Sequence, residues 1–460
     1  MLLFEPYEKN SLKNDPTISM LGKWEIHYLA FEGPKDSQKP PVIVLGGAFQ
    51  NFTSYRFFVA DVLEIAPVIL VDLPSLGNNS QLAAHLGLED LADLLYYWLV
   101  QEGIPKVSLM GLSLGSVVAS TFAFKRPEMS ERLIMVGTLA KPRKSWRMLL
   151  EESLKLLDAE QMSEFGEAVV LYLINHARLK ETEIPEVACR LFRRQMRTFT
   201  DNEKQRYRIN AHRLIGVEEV LGYPTCPTIV ATGDKDSFTL PYENAFFAAN
   251  CPNAQFALIK NADHLPQLER RDAVVGMFCA FLKEESLEQV EGLQLLTHEQ
   301  GLALERRGEP RYALNNSSAY VLGFSAVNGD IQIDSPVEIV DINFFGCLLK
   351  YEKVVFTVQE YARNLILCLP DSMLRIEVLV FERGEGWMRC LFKHGSFVIA
   401  EEFNKLLKDR DYCHELPKSL SSIFSAQQQD KKSEIDELKT GIQIALTVFP
   451  QSSAFLQPTE

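Results

Sequence analysis

The sequence predicts an α/β protein with a mostly parallel sheet and a helical lid, followed by a small all-β barrel. Three observations predict it. Between Lys23 and about Glu285, short β-branched runs without period-two alternation take turns with amphipathic helical patterns, as strands covered on both faces do. From about 141 to 222 the strand signal stops and only helical stretches remain. From about Arg306 to Asp409, short strands follow one another with turn signals between them. At 460 residues the chain exceeds what one core fills. The expected division is 1–285, a connector at 286–303, a β domain at 304–415 and a polar, aromatic-poor tail at 416–460.

The strands of the first region are read at Pro41–Gly46 (PVIVLG), Ala66–Asp72 (APVILVD), Lys106–Gly111 (KVSLMG), Arg132–Gly137 (RLIMVG) and Pro227–Gly233 (PTIVATG), each ending in Gly or Asp. LEDLADLLYYWLVQEG, Leu88–Gly103, is a helix closed by glycine. The insertion carries helical stretches such as SWRMLLEESLKLL and PEVACRLFRRQMRTF. An insertion there sits over the carboxyl ends of the strands, where ligands bind in open α/β sheets. In the later region SAYVLGFSAV, PVEIVDI, CLLKYEK, NLILCLP and LRIEVLVFERG read as strands.

Composition excludes several classes. Lys+Arg 47 against Asp+Glu 61 leaves a net charge of −14, which argues against wrapping nucleic acid. The start, MLLFEPYEKN, lacks a basic n-region, and Glu5 and Glu8 interrupt it. No stretch offers the roughly 18 uninterrupted apolar residues of a membrane helix. The eight cysteines form no C-x-x-C pair, so they read as reduced, packed thiols rather than a disulfide frame or metal site. The expectation is a cytoplasmic protein of bacterial type, with no metal and no catalytic cofactor.

MGLSLGSVVA, Met110–Ala119, sets Ser113 between Gly111 and Gly115 at the junction of a strand and a helix. That turn lifts a hydroxyl above the sheet edge, and the glycines allow its strain. A serine needs a base and an orienting acid. Downstream, ATGDKDSF offers Asp234 and Asp236 just after a strand. NADHLPQLERR offers His264, after the strand-like QFALIK and before the last helix. His298 has no strand signal before it and lies a few residues from the β domain. In VLGGAFQNF the backbone can come close, so the amides of Ala48 and of Leu114 are the candidate oxyanion donors.

LGGAFQNF, VDLPSLGNNS, GLSLGS, GDKD and DH together resemble the successive landmarks of the α/β-hydrolase family, across about Leu21–Glu285. The resemblance implies a Ser113–Asp236–His264 triad, with Asp234 as runner-up for the acid, and acyl transfer to water or another hydroxyl. A serine at this position argues against a haloalkane dehalogenase, which uses an aspartate. The apolar lid either takes an acyl chain or only packs on the body. VDLPSLGNNSQ, TGDKDSFT and the lid stretch from VLYLINHARL to RINAH are also similar in layout to the acyltransferases that join hydroxyacyl chains into a rhamnolipid precursor. That likeness implies acyl carrier protein or coenzyme A as donor, with Arg190, Arg193, Arg194 and Arg197 holding a carrier phosphate, or else forming a solvated helix face.

ERRGEPRY, Glu305–Tyr312, and VDINFFGCLL, Val340–Leu349, resemble the PilZ domain, across about Leu302–Asp411. The resemblance implies cyclic di-GMP binding through Arg307 and Arg311 of R-x-x-x-R, and through Asp341, Asn343 and Gly346 of D/N-x-S-x-x-G. Asn343 departs from the pattern's serine. Arginine forks suit phosphate or a guanine edge, and a short carboxylate accepts guanine N–H groups. The readings are a ligand-regulated serine hydrolase of an acyl ester or thioester, an acyltransferase with the same triad, and a silent effector acting by protein contacts.

Overall fold

The computed structural model describes residues 2–138, 140–182, 184, 186–306, 308–324, 332–352 and 365–416. The body is a nine-stranded sheet of β1 (Thr17–Leu21), β2 (Trp24–Phe31), β3 (Val42–Leu45), β4 (Val68–Asp72), β5 (Val107–Leu112), β6 (Ser130–Val136), β7 (Thr228–Gly233), β8 (Ala254–Ile259) and β9 (Leu293–Leu296). The spatial order is β1-β2-β4-β3-β5-β6-β7-β8-β9, with β3 to β8 parallel and antiparallel pairing at both ends. Every residue of β3, β4, β5 and β7 is buried, which is why these strands lack alternation.

Helices α1 (Val59–Leu63), α2 (Leu88–Gln101) and α3 (Leu114–Lys125) precede the insertion, which is α4 (Lys144–Asp158), α5 (Met162–Leu173), α6 (Glu186–Arg197) and α7 (Asp201–Ile215). After it come α8 (Pro241–Asn250), α9 (Pro266–Glu269), α10 (Arg271–Lys283) and α11 (His298–Leu302). Leu95, Trp98 and Phe122 pack on one face of the sheet, and Val62, Met277 and Phe278 on the other. The 286–303 stretch does more than connect: β9 extends the sheet beside β8, and α11 sets Gly301 against Ala245 of α8. His298 therefore does follow a strand, but its Nε2 meets the Ala254 carbonyl at 3.2 Å, away from Ser113.

The C-terminal region adds β10 (Tyr312–Leu314), β11 (Ser318–Phe324), β12 (Gln332–Asn343), β13 (Gly346–Lys350), β14 (Leu365–Cys368), β15 (Arg375–Gly384), β16 (Trp387–Phe392), α12 (Phe397–Leu407) and β17 (Cys413–Glu415). Strands β11-β14-β15-β16-β13-β12 form an antiparallel barrel of six strands, closed by the β11–β12 pairing. Ala400, Phe403 and Leu407 of α12 pack into its core. Of the tail read at 416–460, all but Leu416 lies outside the described residues. Among the described residues, no helix is long and apolar enough to cross a membrane.

Helix α7 ties the insertion to the body. Arg213 donates to the carbonyls of Leu86 at 2.8 Å and Ala83 at 3.0 Å, and Asn210 to that of Ser75 at 2.8 Å. The same loop shields Asp72, whose Oδ2 accepts from the Asn78 amide at 2.7 Å. Burial pushes this carboxyl up from 3.8 to about 7. Its favourable contribution is complete below its unfolded pKa and is lost as pH rises to about 7, a swing on the order of 4 kcal/mol. Asp72→Asn is expected to flatten the fall in melting temperature between about pH 4 and pH 7. Parallel curves for both proteins would show that Asp72 does not set that fall.

Candidate active site

The chain leaves β5 at Leu112 and enters α3 at Leu114, so Ser113 alone must make the turn. It does so with φ 51° and ψ −118°, a conformation disfavoured for a residue with a side chain. The surroundings enforce it: the Ser113 amide donates to the Val136 carbonyl at 2.8 Å, and the Ser116 hydroxyl to that of Gly111 at 2.8 Å. A Cβ on Gly111 would strike the Ser116 backbone, and one on Gly115 the Leu45 carbonyl, so the glycines let α3 sit directly on β5 and β3.

His264, in the loop after β8, brings Nε2 to 3.0 Å from Ser113 Oγ and Nδ1 to 2.9 Å from Asp236 Oδ2. Asp236 is buried in the loop after β7. It also accepts from the Thr232 hydroxyl at 2.6 Å, the amides of Phe238 at 2.9 Å and Thr239 at 2.8 Å, and the Thr239 hydroxyl at 2.8 Å. Burial alone would raise this carboxyl. The facing His264 charge and these donors outweigh it and hold the group below the ordinary aspartate range. Asp234 is not brought to His264; its carboxylate pairs with Lys235 at 3.7 Å.

Ala48 and Leu114 both face the cavity beside Ser113. As the first residue of α3, Leu114 has an amide that no intrahelical carbonyl satisfies. Gln50 Oε1 accepts from the Gly47 amide at 2.7 Å and so braces the loop that carries Ala48.

The cavity over Ser113 and His264 has a volume of about 410 Å³. Its walls are mainly apolar, with Leu150, Val169, Leu173 and Leu214 from the insertion and Phe238 and Leu265 from the acid and histidine loops. Of the lid arginines, Arg190 pairs with Glu186 at 3.0 Å, Arg197 with Glu167, and Arg193 lies 4.0 Å over the Phe397 ring. Arg194 is exposed on the same helix. The run is thus a largely engaged helix face.

Several neighbours of the site were not legible in the sequence. Asp263, beside His264, is wholly buried and close to Asp236 and Glu269. Burial and these two carboxylates push its carboxyl well above the ordinary range, and burial raises Glu269 to about 7. Asn175, in the turn after α5, donates its amide to Asp263. From the barrel, Lys393 reaches the cavity wall and pairs with Glu152 of α4 at 2.7 Å. Nothing in the spacing of NADH or of the barrel strands signals these contacts, which join segments far apart in the chain.

In the barrel, Arg307 lies outside the described residues. Arg311 is ion-paired with Asp341, so these two members of the candidate ligand site meet directly. Asn343 uses its Oδ1 to accept from the amides of Phe345 at 3.0 Å and Gly346 at 2.9 Å, closing the turn between β12 and β13. Its place at the end of β12 suits that turn role. A Cβ on Gly346 would strike the Cys390 carbonyl of β16.

Residues 42–277 match the model described as "Alpha/beta hydrolase family". The chain is 23% identical over 236 residues to a putative carbamate hydrolase RutD of Pseudomonas savastanoi pv. phaseolicola, covering 49% of this chain and 86% of that one. It is 24% identical over 252 residues to Lipase 3 of a Moraxella species, covering 51% of this chain and 74% of that protein. The crystal structure of MGS-M2, an alpha/beta hydrolase enzyme from a Medee basin deep-sea metagenome library, superposes with a TM-score of 0.52 at 18% identity. That superposition covers 59% of this chain and 98% of that one.

Proposed function

The chain belongs to the alpha/beta hydrolase family, and from that premise we propose that it is a serine-triad hydrolase of esters or thioesters with apolar acyl groups, regulated by cyclic di-GMP bound to its C-terminal barrel. The observation that carries the enzymatic half is the unbroken relay from Asp236 through His264 to Ser113 at the floor of a largely apolar cavity. Ser113 Oγ attacks the acyl carbonyl and His264 Nε2 takes its proton, while Asp236 fixes the Nδ1–H tautomer and stabilises the imidazolium. The amides of Ala48 and Leu114 stabilise the oxyanion. His264 then protonates the leaving group, and water activated by the same imidazole releases the acid. The engaged lid arginines offer no ready cluster for a carrier phosphate, which disfavours the carrier-dependent acyltransferase reading.

The barrel half rests on the ion pair between Arg311, in the segment leading into β10, and Asp341, on β12 of the closed six-strand barrel, both within the PilZ-like segments. The arginines supply forks for phosphate or guanine, and Asp341 an acceptor for guanine N–H groups.

A series of p-nitrophenyl esters tests the first half. Each methylene buried adds about 0.8 kcal/mol, about fourfold in kcat/KM, until the cavity fills. A flat series overturns the apolar-acyl assignment, and a hydroxyacyl thioester converted to a new ester rather than free acid overturns hydrolysis. Calorimetry with cyclic di-GMP tests the second half. Arg311→Ala is expected to weaken binding by about tenfold or more, since a charged hydrogen-bond donor is lost; absence of binding by the unaltered chain overturns the ligand assignment.

A further inference from the structure

Glu309 sits between the two arginines of the R-x-x-x-R segment, yet its partners belong to the lid. Its carboxylate, 8% exposed, accepts from Asn175 Nδ2 at 2.7 Å and from Arg178 Nε at 2.9 Å. Both partners lie in the turn between α5 and α6. Asn175, itself fully buried, donates Nδ2 to the Lys235 carbonyl at 3.2 Å and its backbone amide to Asp263. Asp263 in turn accepts from the amides of His264 at 2.8 Å and Ser237 at 3.3 Å. A single carboxylate from the leading edge of the barrel thus holds the lid turn that holds both the acid loop and the histidine loop.

The other candidate ligand segment abuts the same turn. Phe345, within D-x-N-x-x-G, stacks on Tyr172 at 5.7 Å, and Tyr172 donates its hydroxyl to the Phe392 carbonyl. Tyr172, Leu173 and Ile174 also line the cavity. Both motif segments therefore meet the body at residues 172–178.

Resting on the hydrolase reading above, we propose that Glu309 is a positioning residue for His264, acting through Asn175 and Asp263, and that cyclic di-GMP lowers turnover by drawing Glu309 away. Arg311, two residues from Glu309, is held by Asp341 in this state. A ligand that recruits it must break that pair and shift the segment. Hydrogen bonds tolerate displacements of only a fraction of an ångström, so a shift of one residue spacing releases Asn175 and Arg178. Asn175 Nδ2 then keeps only the Lys235 carbonyl and Arg178 only Glu181, so the lid turn loses its tie to the R-x-x-x-R segment. Coupling follows because the ligand and the Glu309 clamp favour different placements of one segment.

The test uses the full chain as wild type, Glu309→Ala and Glu309→Gln, with p-nitrophenyl butyrate as substrate and calorimetry for cyclic di-GMP. Ligand is expected to lower wild-type kcat by about fivefold or more. Glu309→Ala is expected to lower kcat about tenfold without ligand, leave KM within about twofold, and show no further response to ligand that it still binds. Glu309→Gln, which keeps an acceptor for Asn175, is expected to regain most of kcat. A merely structural role predicts lowered melting temperature with kcat and KM unmoved in the folded fraction. Ligand that raises wild-type turnover, or a Glu309→Ala protein that responds as wild type does, overturns the proposal. If wild type binds no cyclic di-GMP, the barrel assignment and the ligand arm fail together, and the kcat loss and its rescue by glutamine decide the positioning role alone.

Discussion

Ser113→Ala is expected to lower kcat for ester hydrolysis by about 10⁴- to 10⁶-fold and to abolish covalent labelling by a fluorophosphonate, with KM nearly unchanged. The size of the effect follows from the relay: without Oγ, His264 has no nucleophile to deprotonate, and only the oxyanion amides and substrate binding remain. The fold tolerates the change. Alanine and serine bear the same Cβ, so the φ of 51° is no more strained in the variant. Melting curves and the apolar cavity are therefore expected to persist. Two nearby serines are engaged elsewhere. The Ser116 hydroxyl is spent on the Gly111 carbonyl, and that of Ser153 meets Tyr207 at 2.5 Å and the Leu150 carbonyl at 2.6 Å. Full labelling of Ser113→Ala would move the nucleophile elsewhere and end the triad assignment.

That the serine was legible and its supports were not has a physical reason. Ser113, Asp236 and His264 each sit at the carboxyl end of a strand, where a buried apolar run stops at a glycine or a loop. Such boundaries are written locally. The parallel strands from Val42 to Ile259 were readable for the same reason, since burial on both faces leaves no polar alternation. The hairpin of β1 and β2 gives no clear strand signal because β1 is mostly exposed and β2, though largely buried, has its apolar run broken by Glu25 and His27. β9 was hidden in a stretch that reads as polar connector, its residues only half-buried. Asp263, Asn175, Glu309 and Lys393 have meaning only through contacts across many residues, and no local spacing encodes those.

The barrel shows the same division. Strands β11 to β15 are visible as short apolar runs, whereas β16 breaks its apolar run with Arg389 and gives no such signal. The helix α12 gives no such signal either, although Ser396 caps it and Phe403 packs into the barrel core. Asn343 looked like a weakened ligand residue. Its side chain instead closes the turn of the hairpin, a structural demand that asparagine meets at least as well as serine.

The choice between the two aspartates has the second-largest consequence. Asp236→Asn is expected to lower kcat by about 10⁴-fold, and Asp234→Asn to leave it within about twofold. Asparagine at 236 cannot balance the imidazolium that forms on His264, and its amide can hold the ring in the wrong tautomer. It also meets donors from Thr232, Phe238 and Thr239 that are arranged for a carboxylate. Asp234 has no such role, since its charge faces only Lys235 at 3.7 Å among the described ion pairs. A pH signature separates loss of chemistry from loss of fold. The Asp236 carboxyl is held below its ordinary value, so its stabilising contribution is present above the unfolded pKa and is lost as pH falls through the folded one. The melting temperatures of wild type and Asp236→Asn are therefore expected to differ near neutrality and converge in acid, while the kcat deficit persists wherever both are folded. If Asp234→Asn instead carries the large kcat loss, the acid of the triad is the other carboxylate, and the loop after β7 must rearrange to present it.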